Sequence, residues 1–150
     1  NHKFGDFRPL LLKTSDRGAR WTSMAGDLPD RHLVWRLVQD HVKAELFFAA
    51  TEFGIFFTVD GGDRWVELEG GVPTISFRDL AIQRRENDLV GATFGRGFFI
   101  LDDYSCLREA DADTLAKDAH LFGARDAWWY IPRRPLGQDG AASQAASAPW

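Results

Sequence analysis

Two stretches that share one pattern decide the fold: "TSDRGARW" at residues 14–21 and "TVDGGDRW" at residues 58–65. Both read Thr-x-Asp-x-Gly-x-Arg-Trp, and the second begins 44 positions after the first. The same shift links Gly26 to Gly70. Seven of the sixteen positions from 14 to 29 recur identically at this shift, whereas average residue frequencies give roughly one match. The chain therefore contains a repeat.

A third copy follows the second when the segments between the turns are aligned. Residues 76–103 lie over residues 34–60 with one extra residue, and Arg78 then falls on Arg36. The third turn, "ILDDYS", keeps Asp103 but lacks the glycine and the tryptophan. Repeats of about 40–50 residues are typical of propeller blades or of helical arrays.

The local pattern favours strands over helices. The runs "HLVWRLVQD", "ELFFAATE" and "GIFFTVD" are rich in Val, Ile, Phe and Thr, and turn residues separate them. A helical solenoid needs long Ala/Leu-rich stretches, and only "ADADTLAKDAHLF" suggests one or two helical turns. The prediction is an all-β fold of four-stranded antiparallel β-propeller blades, a partial propeller of about two to two and a half blades.

The repeat divides the chain into four predicted parts. Residues 1–29 are the end of a preceding blade, and residues 30–73 are a complete blade. Residues 74–131 are a final blade with a degenerate turn and a short helical insert, and its last strand lies in residues 121–131. Residues 132–150 are rich in Pro, Gly, Ala, Ser and Gln, so we expect a flexible linker toward a C-terminal region that this chain lacks.

The repeated residues have predictable structural roles in a tight turn between strands. Glycine tolerates positive φ, aspartate accepts hydrogen bonds from backbone N–H groups, and tryptophan covers the turn. The residues predicted to close the two turns are Thr14, Asp16, Gly18 and Trp21, and Thr58, Asp60, Gly62 and Trp65.

This pattern resembles the Asp-box, also called the bacterial neuraminidase repeat (BNR), which lies on blade hairpins in sialidases, sortilin-type domains and tandem-propeller xyloglucanases. "NHKFGDFRPLLLKTSDRGARW", "GATFGRGFFILDDYSCLRE" and "DAHLFGARDAWWYIP" are similar to the last blades of large bacterial sortilin-like, glycosyl-hydrolase-like tandem-propeller proteins. A propeller needs at least four blades to close, so we expect the chain, with about two to two and a half, to be a fragment of a longer protein. The resemblance implies that this parent is secreted or periplasmic.

Two functions follow from the resemblance. In the first, the parent is a glycosyl hydrolase-like protein, sialidase-like or xyloglucanase-like, and this piece is structural and inactive alone. In the second, the propeller is a sortilin-like scaffold that binds protein or peptide and has no catalytic activity. The expected partners are the remaining blades of the parent propeller or other copies of this chain, with carbohydrate or peptide as ligand.

Candidate ligand-binding residues are fewer than an active site requires. Arg36, Arg78 and Arg96 are candidate groove residues because a guanidinium group matches a carboxylate with two parallel hydrogen bonds; the alternative is a rim arginine that hydrogen-bonds a neighbouring blade. Catalytic residues stay unknown, since glycoside hydrolysis needs two nearby acids and Asp16 and Asp60 belong to different blades. The remaining acids considered for a groove, and predicted to be mostly solvated, are Glu45, Glu52, Asp79 and Glu86.

Composition narrows the partners further. The net charge of −4 and the scattered Lys and Arg argue against nucleic acid, and no apolar run is long enough to cross a bilayer. Cys106 is the single cysteine and the four histidines lack ligand spacing. No disulfide, no metal and no cofactor are therefore predicted.

Overall fold

The computed structural model describes residues 2–123 and 125–126 of the 150-residue chain. The regular secondary structure of this part is mostly strand, with almost no helix. The elements in chain order are a 3₁₀ helix at His2–Phe4, β1 Leu12–Lys13, β2 Thr22–Ser23, β3 Val34–Gln39, β4 Phe47–Thr51, β5 Gly54–Thr58, β6 Val66–Glu67, β7 Phe77–Gln83, β8 Asp88–Thr93, β9 Phe98–Leu101, a second 3₁₀ helix at Tyr104–Arg108, and α1 Ala112–Leu115.

The strands form three antiparallel sheets, with strand orders β1-β2, β3-β4-β5-β6 and β7-β8-β9. The all-β prediction is therefore confirmed. Residues 121–123 and 125–126, within the predicted last strand, are not in a strand. The rest of that strand and the predicted linker at residues 132–150 lie outside the described residues.

The repeat seen in the sequence is also a repeat in strand register. Leu12 pairs with Ser23 in the first sheet, and Phe56 pairs with Glu67 in the second. Each member of the second pair lies 44 residues after its counterpart in the first. The β1-β2 hairpin of the first sheet therefore corresponds to the β5-β6 hairpin of the second.

Strands β3 and β7 each contain a β-bulge at the corresponding place. The pairing skips Trp35 on β3 and Arg78 on β7. Arg78 is thus the counterpart of Trp35, and the alignment that placed Arg78 over Arg36 was wrong by one residue. The cause is the β7-β8 hairpin, which is one residue shorter than the β3-β4 hairpin.

Each sheet has two faces because side chains alternate along a strand. We call the face toward the preceding sheet the N-side face and the face toward the following sheet the C-side face. Ala49 and Phe56 lie on the N-side face of the second sheet and pack with Leu11, Met24 and Leu28. The C-side face packs against the third sheet in a buried cluster that contains Phe48, Ala50, Ile55, Phe57, Phe77, Leu80 and Leu89.

Candidate functional site

The first turn, residues 14–21, is closed by the side chains of Thr14 and Asp16. The Thr14 hydroxyl donates to Asp16 Oδ1 at 3.0 Å and accepts the N–H of Gly18 at 2.8 Å. Asp16 Oδ1 also accepts the backbone N–H of Arg20 at 2.8 Å. This last bond is the main reason that the pKa of Asp16 is lowered. The carboxylate is thus occupied by its own turn.

The second turn, residues 58–65, repeats this arrangement. The hydroxyl of the buried Thr58 donates to Asp60 Oδ1 at 2.7 Å and accepts the N–H of Gly62 at 3.1 Å. Asp60 Oδ1 further accepts the N–H groups of Asp63 at 3.0 Å and Arg64 at 3.1 Å. Burial raises the pKa of Asp60, but these hydrogen bonds outweigh burial and lower it.

The two tryptophans differ in what they bind. The Nε1–H group of Trp21 donates to the carbonyl of Gly18 at 3.1 Å, and the Trp21 side chain is 58% exposed. Trp65 is only 7% exposed, and its Nε1–H donates to the carbonyl of Met24 at 3.1 Å. Its backbone N–H donates to Asp27 at 2.6 Å. The indole of Trp65 therefore binds the preceding hairpin, and not only its own turn as the sequence predicted.

Two glycines allow the second turn to pack closely against the preceding hairpin, a contact that we call the joint. A Cβ atom at Gly26 would lie 2.4 Å from the carbonyl oxygen of Asp63, and one at Gly62 would lie 2.6 Å from that of Met24. Both glycines also have positive φ. At Gly70, the counterpart of Gly26, a Cβ would meet nothing within 4 Å. The close approach thus belongs to the joint and not to the turn conformation itself.

The third turn has a different construction. Asp103 has a φ of 48° and is the N-cap of the second 3₁₀ helix, where its Oδ1 accepts the N–H of Ser105 at 3.3 Å. This helix carries Tyr104, which is buried, and Arg108, which is mostly buried. Both side chains contact Asp40, the residue that follows β3.

Asp40 is the centre of a buried polar cluster and its side chain is fully inaccessible. It accepts the Tyr104 hydroxyl at 2.7 Å, and it accepts Nε and Nη2 of Arg108 at 2.9 Å each. The N–H of Lys43 donates to it at 2.7 Å. Arg108 Nη2 also donates to Asn87 Oδ1 at 2.7 Å. The cluster therefore joins the second sheet to the hairpin and helix of the third repeat.

The protonation states in this cluster are fixed by its contacts. Burial raises the pKa of Asp40, but the hydrogen bonds from Arg108, the backbone and Tyr104 hold it well below its ordinary range. Burial and the neighbouring Asp40 carboxylate raise the pKa of Tyr104. The Asp40 hydrogen bond raises that of Arg108. Because the Asp40 carboxylate has no access to solvent, the cluster has a structural role and is not a site for proton transfer to a ligand.

A second polar arrangement lies where the two bulges meet, and this one is open to solvent. The guanidinium carbon of Arg78 lies 3.7 Å from the ring centre of Trp35 and 5.1 Å from that of Phe94. Glu52 Oε2 accepts Trp35 Nε1–H at 2.8 Å and the Ser76 hydroxyl at 3.2 Å. Arg78 Nη2 is 3.8 Å from the same oxygen. Cation–π contact and a loose ion pair together hold Arg78 in place.

A cleft of about 480 Å³ opens beside this arrangement. Its side chains combine two guanidinium groups and one carboxylate with apolar surface. Phe7 and Phe53 are each more than 40% exposed, so a ligand could contact them without rearrangement of the core. The residues that line the cleft are His2, Phe7, Arg31, Leu33, Trp35, Glu52, Phe53 and Arg78.

The structure does not bring the three predicted groove arginines together. Arg78 lines the cleft, whereas Arg36 Nε forms an exposed ion pair with Asp79 at 3.2 Å. Arg96 is exposed in the turn after β8, where its backbone N–H donates to the Thr93 hydroxyl at 3.1 Å. The cleft therefore offers one of the three arginines, with Arg31 as a second cation.

Sequence reasoning missed two central residues of this cleft. Trp35 was not singled out, and Glu52 was considered only among the solvated loop acids. Their juxtaposition with Arg78 depends on the two bulges, which a single sequence does not mark. An alignment of the repeats by strand register would have placed Trp35 and Arg78 at the same position.

Within residues 2–123 and 125–126, no group of three or more His, Cys, Asp or Glu side chains is placed to hold a metal ion. No helix in this part of the chain has the length and apolar character needed to cross a membrane. Comparison of the chain with family models, with curated proteins and with solved structures finds no match.

Proposed function

We propose that the chain forms consecutive blades of an Asp-box β-propeller and acts as a non-catalytic binding scaffold. The observation that carries the proposal is the joint at Trp65, where the turn of one repeat binds the backbone that ends the previous repeat at Met24. Antiparallel sheets that pack face to face through such joints match the radial packing of propeller blades.

The carboxylates argue for a scaffold over a glycosyl hydrolase. Asp16 and Asp60 are occupied by hydrogen bonds within their own turns. Among the residues that line the cleft, Glu52 is the one acid, and it already accepts Trp35 Nε1–H. Glycoside hydrolysis uses two acids on either side of the scissile bond. The hydrolase alternative therefore depends on sequence resemblance alone.

The cleft fits a peptide ligand better than a sugar. The Trp35 ring is not free to stack on a sugar, because Arg78 covers one side of it and His2 packs against it in a T-shaped arrangement, with 5.4 Å between centroids. The exposed rings of Phe7 and Phe53 suit an apolar side chain, and the Arg78 guanidinium suits a carboxylate. We propose that the ligand is a peptide with an acidic residue beside an apolar one.

Calorimetric titration with a peptide that carries glutamate beside leucine, and with its glutamine analogue, tests the cleft. We expect the glutamate peptide to bind more tightly. Arg78→Ala should weaken binding by about tenfold, which corresponds to about 1.4 kcal/mol. Arg96→Ala is the matched control, because Arg96 is an exposed arginine that does not line the cleft. Equal affinity for wild type and Arg78→Ala would refute the peptide site.

An activity assay tests the absence of catalysis. The purified chain is expected to leave a chromogenic sialoside and a β-glucan uncleaved. Turnover of either substrate that disappears in Glu52→Gln would show that the cleft is catalytic and would overturn the scaffold proposal.

A further inference from the structure

The described part of the chain has two contacts between neighbouring sheets, which we call the internal joints: the first sheet with the second, and the second with the third. Both follow one rule, by which the C-side face of one sheet packs against the N-side face of the next. Leu11 and Met24, on the C-side face of the first sheet, are buried against the second sheet. Ile55 and Phe57, on the C-side face of the second sheet, are buried against the third with Leu80.

Among residues 2–123 and 125–126, the N-side face of the first sheet is exposed. Leu12 is 59% exposed and Trp21 is 58% exposed. Their counterparts in the second sheet, 44 residues later, are Phe56 and Trp65, which are 4% and 7% exposed. Leu10, two residues before Leu12, is also 59% exposed. An apolar surface that is buried at the internal joint is therefore open at this end.

In the part of the chain that the structure describes, the C-side face of the third sheet is likewise exposed. Phe98 is 74% exposed and Ile100 is 57% exposed. By strand register their counterparts in the second sheet are Ile55 and Phe57, which are 2% and 5% exposed. Val90 and Ala92 pair with Ile100 and Phe98, so they extend the same apolar face.

We propose that these two faces bind each other between copies of the chain. The N-side face of the first sheet in one copy would cover the C-side face of the third sheet in another, around Leu12 and Ile100. Because one exposed face is an N-side face and the other is a C-side face, their contact would follow the same rule as the internal joints. Contiguous exposed apolar surface of this kind marks interaction sites.

Each internal joint brings together two unlike faces, so the same contact between copies is a head-to-tail contact and not a contact between two identical faces. Head-to-tail contacts close into a ring or continue as a filament.

The inference rests on the repeat packing in the proposed function, but not on the peptide cleft. It is tested by the solution mass of the full chain, with Leu12→Glu to block the first face and Ile100→Glu to block the second. Leu121→Glu is the control, because Leu121 is 94% exposed and lies in none of the strands. Circular dichroism confirms that each variant is folded.

We expect wild type and Leu121→Glu to have a mass that rises with concentration. Leu12→Glu and Ile100→Glu should each be monomeric, since each keeps only one usable face. An equimolar mixture of these two variants should double the mass, because each supplies the face that the other lacks. A monomeric wild type overturns the proposal, as does a mixture that stays monomeric or a single variant that still associates.

The same variants separate this proposal from the peptide site. Calorimetry on the monomeric Leu12→Glu variant measures peptide binding without self-association. Peptide binding in a chain whose wild type is monomeric would leave the scaffold proposal in place and remove the end-to-end contact. Self-association without peptide binding would do the opposite.

Discussion

Replacing Arg108 by alanine should destabilise the protein strongly, because it leaves a buried carboxylate without its cation. Asp40 would keep the Tyr104 hydroxyl and the backbone N–H groups but would lose both guanidinium bonds. Removing one partner of a buried ion pair costs about 3–5 kcal/mol. Arg108 is 19% exposed, so we expect the lower end, about 3 kcal/mol, out of a total of about 5–15 kcal/mol for a typical domain.

Urea unfolding followed by tryptophan fluorescence at neutral pH measures this loss. Arg85→Ala is the matched control, since Arg85 forms a 2.9 Å ion pair with Glu86 but its side chain is 82% exposed. An exposed pair contributes at most about 1 kcal/mol. The double variant Arg108→Ala/Asp40→Asn should lose less unfolding free energy than the sum of the two single losses, because the buried charge is then gone. Equal losses of unfolding free energy for Arg108→Ala and Arg85→Ala would refute the structural role of the Asp40 cluster.

Acid titration of the unfolding free energy tests the same cluster through Asp40. Its pKa is lowered in the folded state, so its stabilising contribution is fully present above its unfolded pKa of about 3.9 and is lost progressively as the pH falls from that value through the lower folded-state pKa. Asp40→Asn should be less stable at neutral pH and should lose less stability on acidification. An acid limb of unchanged steepness in Asp40→Asn would show that Asp40 is not the responsible group.

Three further predictions concern the turns and their joint, and urea unfolding measures each. Gly26→Ala should lower the free energy of unfolding by more than about 3 kcal/mol through clash and strain, whereas Gly70→Ala should lower it only by the strain of positive φ, about 1–2 kcal/mol. Similar losses for the two variants would contradict the close approach at Gly26. Asp60→Ala should cost about 2 kcal/mol and Asp16→Ala, with fewer hydrogen bonds, about 1 kcal/mol; the reverse order would contradict the geometry. Trp65→Phe should cost about 1–3 kcal/mol, because a buried backbone carbonyl then loses its donor, and a neutral effect would contradict the joint.

The features that the sequence predicted well are local ones. Strand composition and turn residues depend on neighbours a few positions away, so the hairpins around Gly18 and Gly62 could be located from spacing alone. The offset of 44 residues then gave the correspondence of the first and second sheets. Repeat spacing works here because both hairpins have the same length between the paired strands.

The features that the sequence did not predict depend on which strands meet. The cleft forms because Trp35 and Arg78 are both bulge residues on strands that pack side by side. The alignment by residue identity placed Arg36 there instead, since matching arginines outweighed a one-residue difference in hairpin length. The hydrogen-bond partner of Trp65 was equally impossible to predict, because its indole binds a backbone carbonyl, and a backbone carbonyl has no signature in sequence.

The third turn shows how a repeat can lose its closing residues and remain attached. Asp103 is retained, but it caps a helix and no longer closes a hairpin. That helix brings Tyr104 and Arg108 to Asp40, and a buried aromatic ring and an ion pair then join the third repeat to the second. In the second turn, Trp65 performs the equivalent joining with one indole. Loss of glycine and tryptophan from a repeat therefore does not imply loss of its joint, and degenerate copies are better recognised by the contacts that replace them.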